Sequence, residues 1–258
     1  MKAIILAAGR GRRLIKEKDI LHKSLLKINN LSLIERQIKI LKKNNISEIW
    51  VVTGHNSDHI KQEIAKYGVK FLYNKNYKKT DTLESFLTAK HVMNDEIITL
   101  YADVIFEEEI LLDLLNMNEF DIILSIQKIK CNEEDMKTYV RNNLVEKIDK
   151  KLEEKFSNSR YAGIAKFSKE GCRIFKTVLD KFEEQDCLDG DISKVFEEII
   201  KNKSSIHASF TNNRKWINVN TLNSFKNAEI NFGIKSSAAQ NFLNFNKLKP
   251  ETNLYSKE

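Results

Sequence analysis

Short apolar runs alternate with amphipathic segments through the first half of this sequence. The apolar runs have the length of buried strands and fall at residues 3–8, 48–53, 69–73, 96–101 and 121–126. The segments between them repeat apolar residues at helical spacing and fall at residues 31–44, 56–66, 82–93 and 107–115. Strands joined by crossover helices form a parallel sheet covered on both faces, with ligands at the carboxyl ends of the strands. We therefore predict an α/β fold with a mixed, mostly parallel Rossmann-like sheet.

The second half of the sequence follows a looser pattern. Strand-like pieces fall at residues 138–148, 160–167 and 205–210, and helical pieces fall at 168–183 and 190–202. No repeat or proline-rich linker separates the halves, and the chain has one proline, Pro250. We predict a single domain over residues 1–230, followed at 231–258 by a C-terminal helix and tail.

Composition and charge argue against several classes of protein. The chain is 41% hydrophobic and 31% charged, and its apolar runs fall well short of the ~20 residues of a membrane span. The N-terminus lacks the features of a secretory signal, and the three cysteines form no C-x-x-C pair, so we expect reduced thiols in a cytoplasmic protein. The net charge of +7 is spread over interleaved acidic and basic residues, which argues against nucleic-acid binding.

The first predicted strand runs directly into a glycine- and arginine-rich loop. This loop reads Gly9-Arg10-Gly11-Arg12-Arg13-Leu14, in a chain with only eight glycines. Glycines let a phosphate approach oriented backbone N–H groups, and the arginines add fixed positive charge. The chain has no Gly-Lys dipeptide, and Leu14 occupies the third glycine position of the dinucleotide fingerprint, which excludes a Walker A loop and a Rossmann dehydrogenase. The alternative to a phosphate loop is a plain turn between strand and helix.

The loop and several later motifs resemble one enzyme family. The motifs fall at residues 6–14, 22–28, 33–37, 74–89, 101–106, 160–168 and 216–221. In this order they resemble the nucleotidyltransferases that activate sugar phosphates and phospho-headgroups, over about residues 1–230. The branch that the chain resembles most is similar to phosphocholine cytidylyltransferases, in the short form without a β-helix domain.

The resemblance implies a reaction and a set of site residues. An acceptor phosphate or phosphonate oxygen attacks the α-phosphorus of a nucleoside triphosphate, with Mg²⁺ as cofactor, and pyrophosphate leaves. Catalysis then rests on positioning and on neutralisation of developing charge. The nucleotide half would be about residues 1–126 and the acceptor half about 127–230. The implied residues are catalytic Arg13, Lys23 and Asp103; nucleotide-binding Leu6, Ala7, Ala8, Gly9, Gly11, Arg12, Asp81 and Ser85; metal-binding Asp103 and Asn220; and acceptor-binding Tyr161, Asp189, Asp191 and Trp216.

Several of these positions have a second interpretation. Asp103 would either bind the metal or cap the helix that begins near residue 107. Asp189 and Asp191 would either contribute a carboxylate on the acceptor side or cap a helix. Tyr161 and Trp216 would either face a choline group or pack in the core.

The sequence departs from the family at three places. The second metal carboxylate of the family is Asn220 here, and Asn218 replaces an acidic residue two positions before it. An amide oxygen ligates Mg²⁺ without contributing charge. His22 replaces the proline before Lys23, and the segment 80–85 lacks two asparagines and an aromatic residue of the branch. These changes leave the cytosine preference open and disfavour phosphocholine as the acceptor.

Three titratable residues outside these motifs recur at four-residue spacing. They are His55, His59 and Glu63, and the spacing mimics that of metal ligands on a helix. Charged neighbours surround them, so we expect a solvated helix face instead.

The leading hypothesis is a CTP-dependent cytidylyltransferase with a small phosphorylated or phosphonate acceptor. The alternatives are a hexose-1-phosphate nucleotidyltransferase and a non-catalytic nucleotide-binding protein. The expected partners are a nucleoside triphosphate and the acceptor, with neither nucleic acid nor membrane, and a homodimer is left open.

Overall fold

The structure is a computed structural model, and it describes residues 1–11, 22–78, 82–185 and 190–233. In chain order the strands are β1 (Lys2–Ala7), β2 (Lys27–Ile28), β3 (Leu31–Ser32), β4 (Ile49–Thr53), β5 (Lys70–Tyr73), β6 (Ile97–Tyr101), β7 (Val104–Phe106), β8 (Ile122–Lys128), β9 (Lys137–Arg141), β10 (Leu144–Asp149), β11 (Ser159–Phe167), β12 (His207–Phe210) and β13 (Trp216–Asn218). The helices are α1 (Leu33–Lys43), α2 (Ser57–Ile64), α3 (Thr82–Ala89), α4 (Glu108–Asn116), α5 (Lys169–Glu184), α6 (Ser193–Lys201) and α7 (Leu222–Phe232).

One large sheet runs through both halves of the described chain. Its strand order is β5-β4-β1-β6-β11-β8-β12-β10-β9. The strands β5, β4, β1 and β6 are parallel to one another. Beyond them β11 is antiparallel to both β6 and β8, and β12 is parallel to β8. The predicted mixed α/β sheet is therefore confirmed, with its continuous parallel part formed by the N-terminal strands.

The five strands predicted in the first half correspond to β1, β4, β5, β6 and β8. The piece predicted at 138–148 is a hairpin of β9 and β10. Asn142 and Asn143 make its turn with φ of 50° and 62°, a backbone conformation that asparagine tolerates well. Helix α7 was not predicted from the sequence.

Alternate residues of the central strands face opposite sides of the sheet. On β1, Ile4 and Leu6 pack with the helices α3, α5 and α6, whereas Ala3 and Ile5 pack with α1, α2 and α4. This alternation follows from the two-residue period of a strand and explains why both faces of β1 are apolar. The core therefore lies in two layers, one on each face of the sheet.

The order of the parallel strands reverses at β1. The chain passes from β1 to β4 and β5 on one side, and β6 then lies on the other side of β1. In open α/β sheets a reversal of this kind leaves a crevice at the carboxyl ends of the strands, where ligands bind. Gly9 and Gly11 follow β1, and Asp103 follows β6, so the predicted site residues lie at this crevice.

Some predictions fall outside the described residues. These are the predictions for Arg12, Arg13, Asp81 and Asp189, and for the C-terminal segment from residue 234 onward. Of the cysteines, Cys131 and Cys172 are buried free thiols, in agreement with the sequence. Within the described ranges, every helix is too short or too polar to cross a bilayer.

Candidate active site

Three residues that are far apart in the sequence meet at the crevice. The Nζ atom of Lys23 donates a hydrogen bond to Oδ2 of Asp103 at 2.7 Å and another to Oδ1 of Asn220. The Lys23 and Asp103 side chains are 16% and 22% exposed, so a ligand can reach them. The structure thus brings together a lysine ammonium group and two side-chain oxygens from three separate motifs of the sequence.

A buried glutamine supports the turn that carries Asp103. The turn connects β6 to β7, and Nε2 of Gln37 on α1 donates to the carbonyl oxygens of Tyr101, at 2.8 Å, and Val104, at 2.7 Å. Because Gln37 holds both ends of the turn, it fixes the backbone on either side of Asp103. Residue Glu107, not Asp103, occupies the N-cap position of α4, so the helix-cap interpretation of Asp103 is wrong.

Asn220 is held by a second pair of elements. Strand β13 pairs with β7, and the backbone N–H of Val219 donates to the carbonyl oxygen of Asp103 at 2.8 Å. Just after Asn220, Thr221 and Ser224 form a capping box at the start of α7, and Oγ of Ser224 accepts from the Asn220 N–H at 2.9 Å. These hydrogen bonds therefore fix the backbone at Asp103 and Asn220.

Lys23 lies against the glycine loop. Gly11 has φ of 59°, and a Cβ atom there would come within 2.6 Å of Cγ of Lys23. Glycine therefore serves two purposes at this position, since it adopts the left-handed conformation and leaves room for the lysine stem. Around Gly9, by contrast, the described protein leaves open space.

His22 bridges the glycine loop and the turn of Lys23. Its Nε2 atom lies 2.8 Å from the carbonyl oxygen of Gly9, and its Nδ1 atom lies 3.2 Å from the backbone N–H of Ser24. The carbonyl only accepts and the N–H only donates, so the ring is neutral with its proton on Nε2. Burial lowers the pKa of His22 to about 4, which keeps this form at neutral pH.

His55 is a neighbour of the site that sequence reasoning missed. It lies before α2, and its backbone N–H donates to the carbonyl oxygen of Ala8 at 3.2 Å. Its ring centroid is 6.3 Å from that of His22 and 6.1 Å from that of Tyr77. Burial lowers the pKa of His55, and the positive charges of Arg10 and Lys78 lower it further. The expectation of a solvated helix face is wrong for His55.

The other two residues of that pattern behave as expected. His59 is exposed on α2, and Glu63 forms an ion pair with Lys27 at 2.9 Å. The four-residue spacing would have been informative only if all three residues had been on one helix.

The remaining predicted nucleotide-binding residues in the described chain surround the end of β1 and the start of α3. Leu6, Ala7 and Ala8 are buried, and the carbonyl oxygen of Leu6 accepts from the Ala102 N–H at 3.1 Å. Ser85 is buried, and its Oγ accepts a hydrogen bond from Nδ2 of Asn74 at 3.3 Å. Nucleotide contact by these residues stays a prediction.

Of the predicted acceptor residues, Tyr161 and Trp216 are both packed in the core. Tyr161 meets Tyr101 and Phe196 edge to face, with centroids 5.9 and 6.2 Å away. Burial raises the pKa of Tyr161, and the negative charge of Asp191 raises it further. Trp216 is 7% exposed. The core-packing interpretation therefore describes Tyr161, whereas Trp216 packs against the core and also lines a cavity.

Asp191 lies at the start of a helix on the acceptor side, where Ile192 is the N-cap residue. The Oδ1 atom of Asp191 accepts from the backbone N–H of Ser193 at 3.0 Å, at the start of α6, and Oδ2 lies 3.6 Å from Nζ of Lys150. The same segment contacts the first turn of α3, where Oγ1 of Thr82 accepts from the Ile192 N–H at 3.0 Å. The predicted nucleotide and acceptor segments are therefore adjacent.

The donor set at the crevice suits a hard divalent cation. The Asp103 carboxylate and the Asn220 carbonyl oxygen converge on one point, now contacted by the Lys23 ammonium. Mg²⁺ prefers oxygen ligands and commonly takes one or two carboxylates, completing its shell with phosphates and water. In the part of the chain that the structure describes, no three His, Cys, Asp or Glu side chains gather into a metal cluster. A metal here would therefore take further ligands from its substrate.

Residues 3–132, about half of the chain, match the family described as the MobA-like NTP transferase domain. The CTP:phosphoglutamine cytidylyltransferase of Campylobacter jejuni is 33% identical over 138 residues, which are 51% of this chain and 54% of that enzyme. The choline-phosphate cytidylyltransferase of Haemophilus influenzae is 28% identical over 185 residues, which are 72% of this chain and 76% of that enzyme. The chain thus spans about half the length of the Campylobacter enzyme.

Solved structures of nucleotidyltransferases have the same fold. The CTP:phosphocholine cytidylyltransferase of Streptococcus pneumoniae superposes with a TM-score of 0.72 at 20% identity, covering 89% of this chain and 97% of that one. A UDP-glucose pyrophosphorylase from Acinetobacter superposes with a TM-score of 0.76 at 13% identity, covering 96% and 99%. At such identities the likeness establishes the fold alone.

Proposed function

This chain belongs to the nucleotidyltransferases with a MobA-like NTP transferase domain, and we propose that it is a Mg²⁺-dependent cytidylyltransferase. It would transfer CMP from CTP to a small phosphorylated or phosphonate acceptor and release pyrophosphate. The nucleotide would bind to the half at about residues 1–126 and the acceptor to the half at about 127–230. The observation that carries the proposal is the convergence of Lys23, Asp103 and Asn220 at the crevice beside β1.

This convergence provides the charges that nucleotidyl transfer needs. In-line attack on the α-phosphorus builds negative charge on the α-phosphoryl and leaving oxygens, and a cation that is already positioned lowers the energy of that state. Lys23 would supply this cation, and Gly11 and His22 hold its backbone and stem in position. The acceptor needs no general base, because a phosphomonoester has a second pKa of about 6 and is largely ionised at pH 7.

Asp103 and Asn220 would hold the Mg²⁺ ion, which when bound would neutralise triphosphate charge and orient the phosphates. The two side chains contribute a single negative charge. The binding of the ion would therefore depend strongly on the nucleotide, which would complete its coordination shell.

The glycine loop would cradle the triphosphate. The residues proposed to contact the nucleotide are Leu6, Ala7, Ala8, Gly9, Gly11, Arg12, Arg13, Asp81 and Ser85. Within the described chain the space around Gly9 is open, which would give a phosphate access to the backbone there. The position of the loop at the end of β1, where the strand order reverses, supports this assignment.

The two relatives in sequence favour CTP as the nucleotide, because both are cytidylyltransferases. The fold also superposes on a UDP-glucose pyrophosphorylase, so a hexose-1-phosphate nucleotidyltransferase is the second candidate. The uncharged amide of Asn220 favours a third candidate, a nucleotide-binding protein without catalysis.

Pyrophosphate release with each of CTP, UTP, GTP and ATP separates these candidates. The acceptors would be phosphocholine, aminoethylphosphonate and glucose 1-phosphate. We expect turnover with CTP and a non-sugar acceptor. Turnover only with UTP and glucose 1-phosphate would establish the second candidate, and CTP binding without turnover of any phosphorylated acceptor would establish the third.

Substitutions at the cluster test its role directly. Lys23→Ala and Asp103→Asn should each lower kcat by about 10² to 10³, since each removes a charge that the transition state uses. Circular dichroism should be unchanged. Lys39→Ala on the exposed face of α1 is the matched control and should leave kcat unchanged. Full activity in Asp103→Asn would mean that the metal binds elsewhere.

A further inference from the structure

One face of the Trp216 indole is already covered by a cation of the protein. The guanidinium carbon of Arg160 lies 4.6 Å from the ring centroid. Arg160 is fixed there by Oε1 of Gln127, which accepts from Nε at 3.0 Å, and by Asp135, whose Oδ1 lies 2.7 Å from NH1. A quaternary ammonium group binds by lying over such a face, so Arg160 occupies the position that choline would need.

Two buried polar atoms on the strand that leads to Asn220 have no partner in the described chain. They are Nε1 of Trp216 and Oδ1 of Asn218. These residues lie two positions apart on β13, so their side chains point to the same face. Buried polar groups of folded proteins almost always have partners, and the indole N–H can only donate. A quaternary ammonium has no lone pair to accept that hydrogen bond, whereas an oxygen has.

A cavity of about 370 Å³ adjoins Trp216. The polar side chains that line it are amides and cations, and none of them is a carboxylate. They are Gln127, Asn212, Asn213 and Asn231, with Arg214 and Lys215. Asp113 pairs with Arg214, and Oε2 of Glu107 accepts from the Lys215 backbone N–H at 2.9 Å, but no described acidic side chain pairs with the ammonium group of Lys215. The cavity therefore has the polarity of a site for an anionic group.

This cavity lies at the same edge of the sheet as the cluster of Lys23 and Asp103. Strand β11 is antiparallel to both β6 and β8, so β6 and β8 run in the same direction. Gln127 near the end of β8 and Asp103 after β6 are consequently at one edge. Trp216 is four residues before Asn220, a separation of at most about 14 Å of extended chain. This separation is short enough for one small molecule to span it.

We propose that the acceptor carries a carboxylate remote from its phosphate, and that Trp216 and the adjoining cavity recognise this carboxylate. The inference rests on the proposed function and adds the chemical class of the acceptor. Trp216 donates its indole N–H to a carboxylate oxygen, and the Lys215 side of the cavity provides positive potential. Arg160 excludes a quaternary ammonium from the indole face.

Matched pairs of acceptors test the inference. 3-Phosphoglycerate has a carboxylate that glycerol 3-phosphate lacks, and O-phosphoserine has a carboxylate that phosphoethanolamine lacks. Phosphocholine, with its quaternary ammonium, is the fifth acceptor. With CTP, we expect kcat/KM for the carboxylate member of at least one pair to exceed that of its partner and of phosphocholine at least tenfold. The inference would be overturned if phosphocholine were the best acceptor, or if glycerol 3-phosphate and phosphoethanolamine were each preferred to their carboxylate counterparts.

Two substitutions connect the preference to the residues. Trp216→Phe keeps an aromatic ring and removes the N–H, so KM for the carboxylate acceptor should rise about tenfold while KM for CTP stays constant. Trp50→Phe is the matched control. Trp50 is on β4, which three strands separate from β8 in the sheet, and its indole N–H donates a hydrogen bond to Glu48. An unchanged acceptor KM in a folded Trp216→Phe protein would contradict the assignment.

Asn218→Asp is a second test that does not depend on the stability of the Trp216 variant. Its half-buried side chain would bring a negative charge to the same face of β13. The preference should shift at least fivefold away from O-phosphoserine and toward phosphoethanolamine, and no shift would argue against recognition here.

Calorimetry with CTP distinguishes the two levels of the proposal: no binding would overturn the proposed function and this inference together. CTP binding with turnover of aminoethylphosphonate or glucose 1-phosphate, but of none of the five acceptors, would overturn this inference alone.

Discussion

The Nε2 atom of His22 lies 2.8 Å from the carbonyl oxygen of Gly9, and this hydrogen bond joins the loop after β1 to the turn that carries Lys23. The bond requires a neutral ring, because the other nitrogen accepts from the Ser24 N–H. A residue next to the proposed catalytic lysine therefore links its position to that of the glycine loop.

The burial of His22 predicts a loss of stability in acid. The pKa of the ring is about 4 in the folded protein and about 6.5 unfolded, so between these values the unfolded chain binds the extra proton. The contribution of neutral His22 is fully present above pH 6.5 and is lost as pH falls through 4, about 3 kcal/mol in total.

Urea unfolding at pH 7.5 and at pH 4.5 measures this contribution. His22→Gln keeps an amide donor for Gly9 and removes the titration, so its free energy of unfolding should fall less between the two pH values than that of the wild type. His59→Gln, at an exposed position, is the control and should keep the wild-type pH dependence. Equal pH dependence in the His22→Gln variant would contradict the assignment.

The two glycines after β1 should respond differently to alanine. Gly11→Ala would have a left-handed φ and a Cβ atom 2.6 Å from the Lys23 stem, so the lysine must move. We expect kcat to fall at least tenfold with a loss of about 1 kcal/mol of stability. Gly9→Ala meets no described protein atom within 4 Å, so its melting temperature should be unchanged while KM for CTP rises. The same kinetics in both variants would mean that Lys23 does not depend on Gly11.

The secondary structure was largely predictable, because strand and helix periods are local properties of the sequence. Apolar runs predict β1, β4, β5, β6 and β8. The strand order is not predictable in this way, since β11 lies between β6 and β8 and its pairing joins residues far apart in the chain. Helix α7 was missed because its apolar pattern is weak: of its eleven residues, Phe225 and Ala228 are the ones that are buried.

The site was predictable where a motif identified a residue type and unpredictable where a contact defined the role. Motifs pointed to Lys23, Asp103 and Asn220, which the structure brings together. The sequence marked His22 as a departure, but its hydrogen bond to Gly9 needs two segments to lie side by side, which no local pattern encodes. His55 was misassigned because helix α2 begins two residues after it.

Gln37 should be essential to the turn of Asp103. Gln37→Met keeps the length of the side chain and removes the donor to two carbonyl oxygens, Tyr101 and Val104. Leaving buried carbonyls without a partner should cost about 2 kcal/mol in the free energy of unfolding. Because Asp103 then loses its support, kcat should fall as well. Lys39→Met, an exposed change on the same helix, is the control and should stay within about 0.5 kcal/mol of wild type.

Asn220→Asp should strengthen metal binding. A carboxylate at this position would add a second negative charge beside Asp103, and the affinity of oxygen sites for divalent cations rises with ligand charge. We expect the Mg²⁺ concentration for half-maximal activity to fall about tenfold, which corresponds to ~1.4 kcal/mol. Calorimetric titration of Mg²⁺ in the presence of a non-hydrolysable CTP analogue should report the same shift. Asn227→Asp, exposed on α7, makes the same change in net charge away from the cluster. An equal response in both variants would mean that overall charge, and not Asn220, sets the metal affinity.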